Sequence, residues 1–180
     1  MFTFDYTVTT EDYIAFNKNH LECTKAGKSS LLRFRLMFVF LILFTLVIFL
    51  LAGADWILFA FEAIALSVAG IILWFSSKRM ALSSIRKTVL KKRAPALFSP
   101  NGVLIFDEAA VTDKIAASEV KVAYSSIEQI ITARTAVYFY FGPAQAIILP
   151  YHNFKNQQEL DQFLKWIRSV FDESLFQASK

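Results

Sequence analysis

A run of basic side chains between residues 78 and 93 offers the clearest binding chemistry in this sequence. The run contains no acidic residue and seven basic ones, namely Lys78, Arg79, Arg86, Lys87, Lys91, Lys92 and Arg93. Cations at this density bind phosphate groups, and each one beside an anionic lipid surface contributes about 1 kcal/mol. The run therefore predicts contact with anionic lipid headgroups or with nucleic acid. Residues 94–180 carry seven basic and nine acidic residues, so no basic face on a folded domain supports nucleic acid as a partner.

A carboxylate within an apolar stretch is the second polar feature. Glu62 is the only charged residue in segment 56–75. A carboxylate at the centre of a bilayer costs about 2.5–3.5 kcal/mol, so it needs either a bonding partner or a function. If segment 56–75 pairs as a helix with the apolar segment before it, Thr45 lies at a depth in the bilayer similar to that of Glu62. We expect a hydrogen bond between the Thr45 hydroxyl and the Glu62 carboxyl, and the alternative is a role for Glu62 in an ion path or a partner contact.

The sequence contains no residue pattern that specifies an enzyme. Neither His20 nor His152 has a metal-ligand spacing, and the five scattered glycines form no nucleotide-binding loop. Asp107, Glu108 and Asp113 supply three carboxylates, but their spacing differs from that of a calcium-binding loop. We therefore predict a non-enzymatic protein with no cofactor and no metal site.

Two apolar segments precede the basic run and account for its position. Residues 36–54 carry no charge, and residues 56–75 carry one. A helix rises about 1.5 Å per residue, so each segment can cross a hydrocarbon core about 30 Å thick. The connection around Asp55 is short, which makes the two predicted helices antiparallel.

The charges on either side of this hairpin predict its orientation. Basic residues occupy both outer flanks, whereas the connection carries only Asp55. Positively charged flanks stay in the cytoplasm, so we predict a multi-pass protein of the cytoplasmic membrane with both termini in the cytoplasm. The basic run is then a topology signal as well as a lipid contact. Leu82, Ile85 and Val89 add an apolar stripe that would let it lie flat on the membrane surface.

The segment before the hairpin predicts a strand and a helix. Residues 2–9 alternate apolar and polar side chains, as a half-buried strand does. Thr9 or Thr10 can cap a helix that continues to about residue 28. A lone strand is not stable, so we expect it to pair with strands from the C-terminal half and to bring the two ends of the chain together.

The C-terminal half predicts a small antiparallel β domain closed by one helix. Short apolar runs between residues 97 and 150 indicate strands, and residues 156–171 form an amphipathic helix with the capping pair Asn156 and Glu159. The predicted fold class is an α+β membrane protein, with a transmembrane helical hairpin and an antiparallel β domain closed by a C-terminal amphipathic helix. That domain plan is pleckstrin-homology-like (PH-like).

Four motifs in this half carry a family resemblance. They are GVLIFDE (102–108), VAYSSIEQI (122–130), YFYFGPAQAIILP (138–150) and ELDQFLKWI (159–167). By these motifs, and by the order of two apolar segments, a basic flank and a small β domain, the chain resembles the bacterial YcxB-like family over nearly its whole length. Many family members have Trp where this chain has Tyr124. The resemblance implies a membrane-anchored PH-like domain and supplies no catalytic residue.

These features divide the chain into four predicted segments. They are an N-terminal strand and helix (1–30), the transmembrane hairpin (31–77), a basic juxtamembrane helix (78–95) and the PH-like domain (96–180). We expect a binding or scaffold module at the cytoplasmic face that engages anionic membrane lipids, and a protein partner or a second copy of the chain. The alternative is an auxiliary subunit of a membrane transport or sensing complex that acts through Glu62.

Overall fold

The structure is a computed structural model that describes residues 2–53, 55–91, 102–115 and 118–178. Over these ranges the chain is α+β, as the sequence predicts, with two long apolar helices and two sheets. The helices are α1 (Thr10–Cys23), α2 (Lys25–Leu51), α3 (Trp56–Lys91) and α4 (Gln157–Val170). The strands are β1 (Phe2–Tyr6), β2 (Gly102–Phe106), β3 (Ala110–Ile115), β4 (Ser118–Ala123), β5 (Gln129–Thr132), β6 (Ala136–Tyr140), β7 (Ala146–Pro150) and β8 (Phe176–Ala178).

Helices α2 and α3 form a hairpin, and each is long and apolar enough to cross a membrane. Their large apolar side chains point outward, and Leu51 and Phe75 are 81% and 77% exposed. The helices approach each other closely at Gly70, where an added Cβ would lie 2.7 Å from the Cδ1 atom of Ile42. An uncovered apolar surface of this kind requires a membrane or a protein to cover it.

A one-residue break at Thr24 separates α1 from α2, within the segment that the sequence predicts as a single helix. Thr24 adopts an extended conformation, and its hydroxyl donates to the carbonyl of His20 and accepts from the Gly27 amide. One side chain therefore caps the end of α1 and the start of α2. As a result, α2 begins at Lys25, six residues before the predicted start of the hairpin.

Helix α3 continues without a break from the apolar segment into the basic one. It contains 36 residues, so it is about 54 Å long at 1.5 Å per residue. The basic segment therefore extends along the axis of the apolar helix. A flat arrangement of the basic segment on a membrane surface would need a bend between the two parts of the helix, and it stays a prediction.

Strand β1 completes the first sheet, whose order is β1-β2-β3-β4 with all neighbours antiparallel. Phe2 pairs with Phe106 and Tyr6 pairs with Gly102, so the strand pairs residues that lie 104 and 96 positions apart in the sequence. This confirms the predicted pairing of the N-terminal strand with the C-terminal half. The helical hairpin is thus inserted between two adjacent strands of one sheet.

The second sheet has the order β7-β6-β5-β8. Strands β5, β6 and β7 are antiparallel, and β6 and β7 form the predicted hairpin, in which Phe141 donates its amide to the Gln145 carbonyl. Strand β8 follows α4 and pairs in parallel with β5, which the sequence did not predict. Asn156 caps α4 by accepting from the Glu159 amide, as predicted.

The main core lies between the two sheets and α4. Its fully buried side chains include Leu104, Phe106, Phe139, Leu149 and Phe163. Helix α1 covers the opposite face of the second sheet, where Phe16 packs against Tyr138 and Tyr140. Because β6 has a covered surface on both faces, all five of its residues are buried.

Candidate functional site

Four of the predicted lipid-binding residues lie on the part of α3 that follows the apolar segment. Lys78, Arg79, Arg86 and Lys87 all lie on this helix, and Arg79, Arg86 and Lys87 are exposed. Lys91 is the last residue of α3, and its side chain lies outside the described part of the chain, as do residues 92 and 93 altogether. The structure therefore gives positions for three exposed cations, which we call the basic end: Arg79, Arg86 and Lys87.

Lys78 joins the β domain to the hairpin. Its ammonium lies 2.5 Å from the Glu22 carboxylate, near the end of α1, and both side chains are partly exposed. A partly exposed ion pair contributes at most about 1 kcal/mol, so it positions α1 against α3 more than it stabilises the fold. Lys78 is therefore already paired, whereas the cations of the basic end form no ion pair within the described part of the chain.

A second contact closes the hairpin next to Lys78. Arg35 on α2 donates to the hydroxyl of Ser77 over 2.8 Å, and its guanidinium lies 4.9 Å from the centre of the Trp74 ring. Ser77 is fully buried, and its hydroxyl donates in turn to the Trp74 carbonyl. Arg35 therefore links α2 to α3 at the level where the apolar surface ends.

Thr45 and Glu62 do not form the predicted hydrogen bond. The Thr45 hydroxyl donates to the carbonyl of Leu41, one turn earlier in α2, over 2.9 Å. A threonine within a helix commonly makes this backbone bond. Glu62 is half-buried, and α2 presents no titratable side chain between Leu36 and Leu51. A role for Glu62 in an ion path therefore remains a prediction that needs a second protein.

The other polar candidates are held by neighbouring groups. Asp113 accepts a 2.6 Å hydrogen bond from the Tyr6 hydroxyl, so it does not lie free beside Asp107 and Glu108. The Nε2 atom of His152 lies 3.8 Å from Asp12, and His20 stacks on Tyr140. Burial lowers the pKa of His20 and raises that of Asp113. Among the described residues, no three His, Cys, Asp or Glu side chains gather as metal ligands do.

The α1–α2 break creates two clefts that the sequence did not reveal. The larger, which we call the junction cleft, has a volume of about 730 Å³ and opens between the helices and β8. Its walls combine Lys28 and the Glu22–Lys78 ion pair with the apolar side chains of Leu21, Leu31 and Phe176. The second cleft lies at the start of α2, beside Tyr140.

The clefts depend on residues that are distant in the sequence. Tyr140 meets Thr24 only because β6 lies under α1, and Phe176 meets Lys28 only because β8 joins the second sheet. A local pattern does not show contacts of this kind. The one local signal was Thr24, because threonine is favoured at the N-cap of a helix.

Comparison with known proteins identifies a family match in the C-terminal half. The family model described as YcxB-like protein matches residues 106–167, which confirms the resemblance predicted from the sequence. The match includes β3 to β7 and most of α4, and it is shorter than the nearly full-length coverage that the resemblance implied. The hairpin and α1 lie outside it. No curated protein and no solved structure matches the chain.

Proposed function

We propose that this chain is a membrane-anchored binding module whose PH-like domain is held at the cytoplasmic surface, where it engages anionic lipid and a protein partner. The observation that carries the proposal is the attachment of the β domain to one end of the apolar hairpin, the end that bears the basic residues. Strand β1 and the Glu22–Lys78 ion pair fasten the domain there. This arrangement places the exposed cations of the basic end on the part of α3 that continues from the apolar surface.

The membrane part of the proposal rests on the exposed apolar helices. Their outward side chains suit lipid, and two helices with short connections satisfy their backbone hydrogen bonds internally. Basic residues on both outer flanks and Asp55 in the connection favour cytoplasmic termini. The PH-like part rests on two mostly antiparallel sheets closed by the amphipathic helix α4.

Cysteine labelling tests the orientation of the hairpin. In a Cys23→Ser background we expect the Asp55→Cys variant to react with a membrane-impermeant maleimide in intact cells. The Lys180→Cys variant should react only after the membrane is permeabilised, because the positive flanks keep both termini inside. Labelling of the Lys180→Cys variant from outside would contradict the proposal, and so would release of the full chain from membranes by carbonate.

Charge removal tests the lipid contact. Replacing Arg79, Arg86 and Lys87 by Gln should weaken the preference of the full chain for phosphatidylglycerol over phosphatidylcholine by about a hundredfold, at roughly 1 kcal/mol per charge. Lipid competition in mixed micelles, read by native mass spectrometry, measures this preference. The matched control replaces three exposed lysines of the β domain by Gln: Lys121, Lys155 and Lys165. Equal loss of the preference in both triple variants would show that net charge, and not the basic end, selects the lipid.

The lipid-preference test uses the full chain because the β domain contains residues from both sides of the apolar hairpin. A fragment that begins after the hairpin would lack β1, which forms an edge of the first sheet and fills the core with Phe4.

The second candidate function is an auxiliary transport or sensing subunit that acts through Glu62. Within the described hairpin, Glu62 has no titratable neighbour on α2. The binding module is therefore the function that the geometry supports best.

A further inference from the structure

The cleft at the start of α2 combines two features that both favour an anion. It has a volume of about 340 Å³ and lies where the first turn of α2 meets the end of β6. Thr24, Lys25 and Ala26 form one wall, and Tyr140 and Gly142 lie in the wall opposite. We call it the helix-start cleft. It is distinct from the basic end, which lies on α3.

Two backbone amides at the start of α2 are left without a helical acceptor. The Gly27 amide donates to the Thr24 hydroxyl over 2.9 Å, and the Lys28 amide donates to the Thr24 carbonyl over 3.1 Å. The amides of Lys25 and Ala26 are the first two of the helix, which have no partner within it. The aligned dipoles of a 27-residue helix place partial positive charge at this same end.

Tyr140 supplies the second, independent feature. Its side chain is only 2% exposed, and its buried hydroxyl has no hydrogen-bond partner among the residues that the structure describes. The ring is held between Phe16 and His20, at centroid distances of 5.7 and 5.9 Å. Cys23, the last residue of α1, packs against the same cluster, which places Tyr140 next to the α1–α2 junction.

The lone hydroxyl of Tyr140 contrasts with those of the buried Tyr6 and Tyr138 and of the half-buried Tyr124 and Tyr151. All four have partners, since Tyr6 donates to Asp113, Tyr124 to the Asp107 carbonyl, Tyr151 to the Ala133 carbonyl, and Tyr138 bonds to Thr135. A buried hydroxyl without a partner loses its bond to water and gains nothing in return. Burial also raises the pKa of Tyr140, so its hydroxyl keeps its proton and remains a donor at neutral pH.

We propose that the helix-start cleft binds a small oxyanion of the phosphate class. The Tyr140 hydroxyl and the amides of Lys25 and Ala26 donate to its oxygens, and the exposed Lys25 ammonium balances its charge. Donors from a helix start suit phosphate because its oxygens accept several hydrogen bonds at once. Glu128 also lines the cleft and opposes the anion, but its side chain is exposed and can turn toward solvent.

The phosphate class includes both water-soluble phosphate compounds and lipid headgroups, which present the same oxyanion to the cleft. Lys25 precedes Leu36, the first residue of the apolar segment, by eleven positions, which is about 16 Å along a helix, and Arg86 follows Phe75 by the same number of positions on α3. The distance from the apolar segment therefore does not separate the two sources of phosphate, and the experiment below is designed to separate them.

Titration of the full chain with inorganic phosphate in a neutral detergent tests the site. We expect the amide resonances of Lys25 and Ala26 to shift on titration, and Tyr140→Phe to weaken binding by about tenfold, the usual value of a hydrogen bond to a charged group. Lys25→Gln should weaken binding and Glu128→Gln should strengthen it. Tyr138→Phe is the matched control, because it removes a hydroxyl from the same strand but outside the cleft lining, and it should bind phosphate as the wild type does.

Thermal unfolding without phosphate provides a readout that does not need binding. Tyr140→Phe should not lower the melting temperature, because the lost hydroxyl had no protein partner, whereas Tyr138→Phe should lower it. The proposal would be overturned if the Tyr140 hydroxyl bonds to an ordered water only. In that case phosphate would shift no amide resonance, and Tyr140→Phe would lower the melting temperature. Equal phosphate affinity of wild type and Tyr140→Phe would also overturn it. Shifts of both amides with phosphatidic acid in nanodiscs but not with inorganic phosphate would assign the oxyanion to a lipid headgroup, and shifts with inorganic phosphate would assign it to a water-soluble compound.

Discussion

Gly27→Ala should destabilise the protein by about 3 kcal/mol, the upper end of the usual cost of overpacking. A Cβ at this position would lie 2.1 Å from the carbonyl oxygen of His20 and 2.7 Å from the Cα of Leu21, both backbone atoms. Backbone cannot turn aside as a side chain can, so the start of α2 must move away from the end of α1. In an ordinary helix Gly→Ala stabilises by up to about 1 kcal/mol, so the expected sign is reversed here.

Chemical denaturation and cysteine labelling measure this effect. The midpoint of urea unfolding in detergent should fall, and Cys23, the half-buried last residue of α1, should react faster with a maleimide. Gly142→Ala is the control, since its Cβ would meet only the flexible side chain of Gln145, at 3.2 Å. An unchanged midpoint together with an unchanged labelling rate for Gly27→Ala would show that the two helices do not approach this closely.

Helix α1, in turn, determines where the β domain sits. It follows β1 directly, covers β6 through Phe16, and ends at the one-residue break before α2. A shift at Gly27 therefore reaches both clefts as well as the Glu22–Lys78 ion pair. The phosphate proposal and the stability prediction share this junction, and they are separable because Tyr140→Phe leaves the helix packing intact.

Local patterns in the sequence predicted the elements that depend on neighbouring residues. The Thr9 cap of α1, the capping pair of α4 and the β6–β7 hairpin each need only a few adjacent side chains. The pairing of β1 with the C-terminal half followed from a general argument, since an isolated strand with one apolar face must find a partner sheet.

Other features were harder to predict because they depend on distant contacts or on weak local signals. Strand β8 has three residues, too few to show an apolar periodicity, and it forms because α4 returns the chain to β5. The break at Thr24 lies inside a continuous helical pattern without proline. The sequence did contain a signal for the continuous helix α3, because it has no Gly or Pro between Gly70 and Pro95 that would end a helix.

Phe4→Ala is the substitution that should have the largest effect on the β domain, with a loss of about 3–5 kcal/mol, the usual cost of removing a buried phenylalanine ring. The Phe4 side chain is 3% exposed, although β1 is an edge strand. Its ring lies 4.8 Å from that of Phe154 and 5.2 Å from that of Phe163, centroid to centroid. These neighbours belong to the far end of the chain, so the cavity opens in the main core.

Tryptophan fluorescence can follow this loss within the β domain. Trp166 on α4 lies close to Phe2 and Phe163, so its emission reports the core if Trp56 and Trp74 are replaced by Phe in every protein compared. Thr3→Ala is the matched control, because Thr3 is exposed on the same strand and should cost less than about 0.5 kcal/mol. Equal unfolding midpoints for the two variants would mean that β1 does not complete the core. If the large difference is found, the β domain needs the strand that precedes the apolar hairpin in order to complete its core.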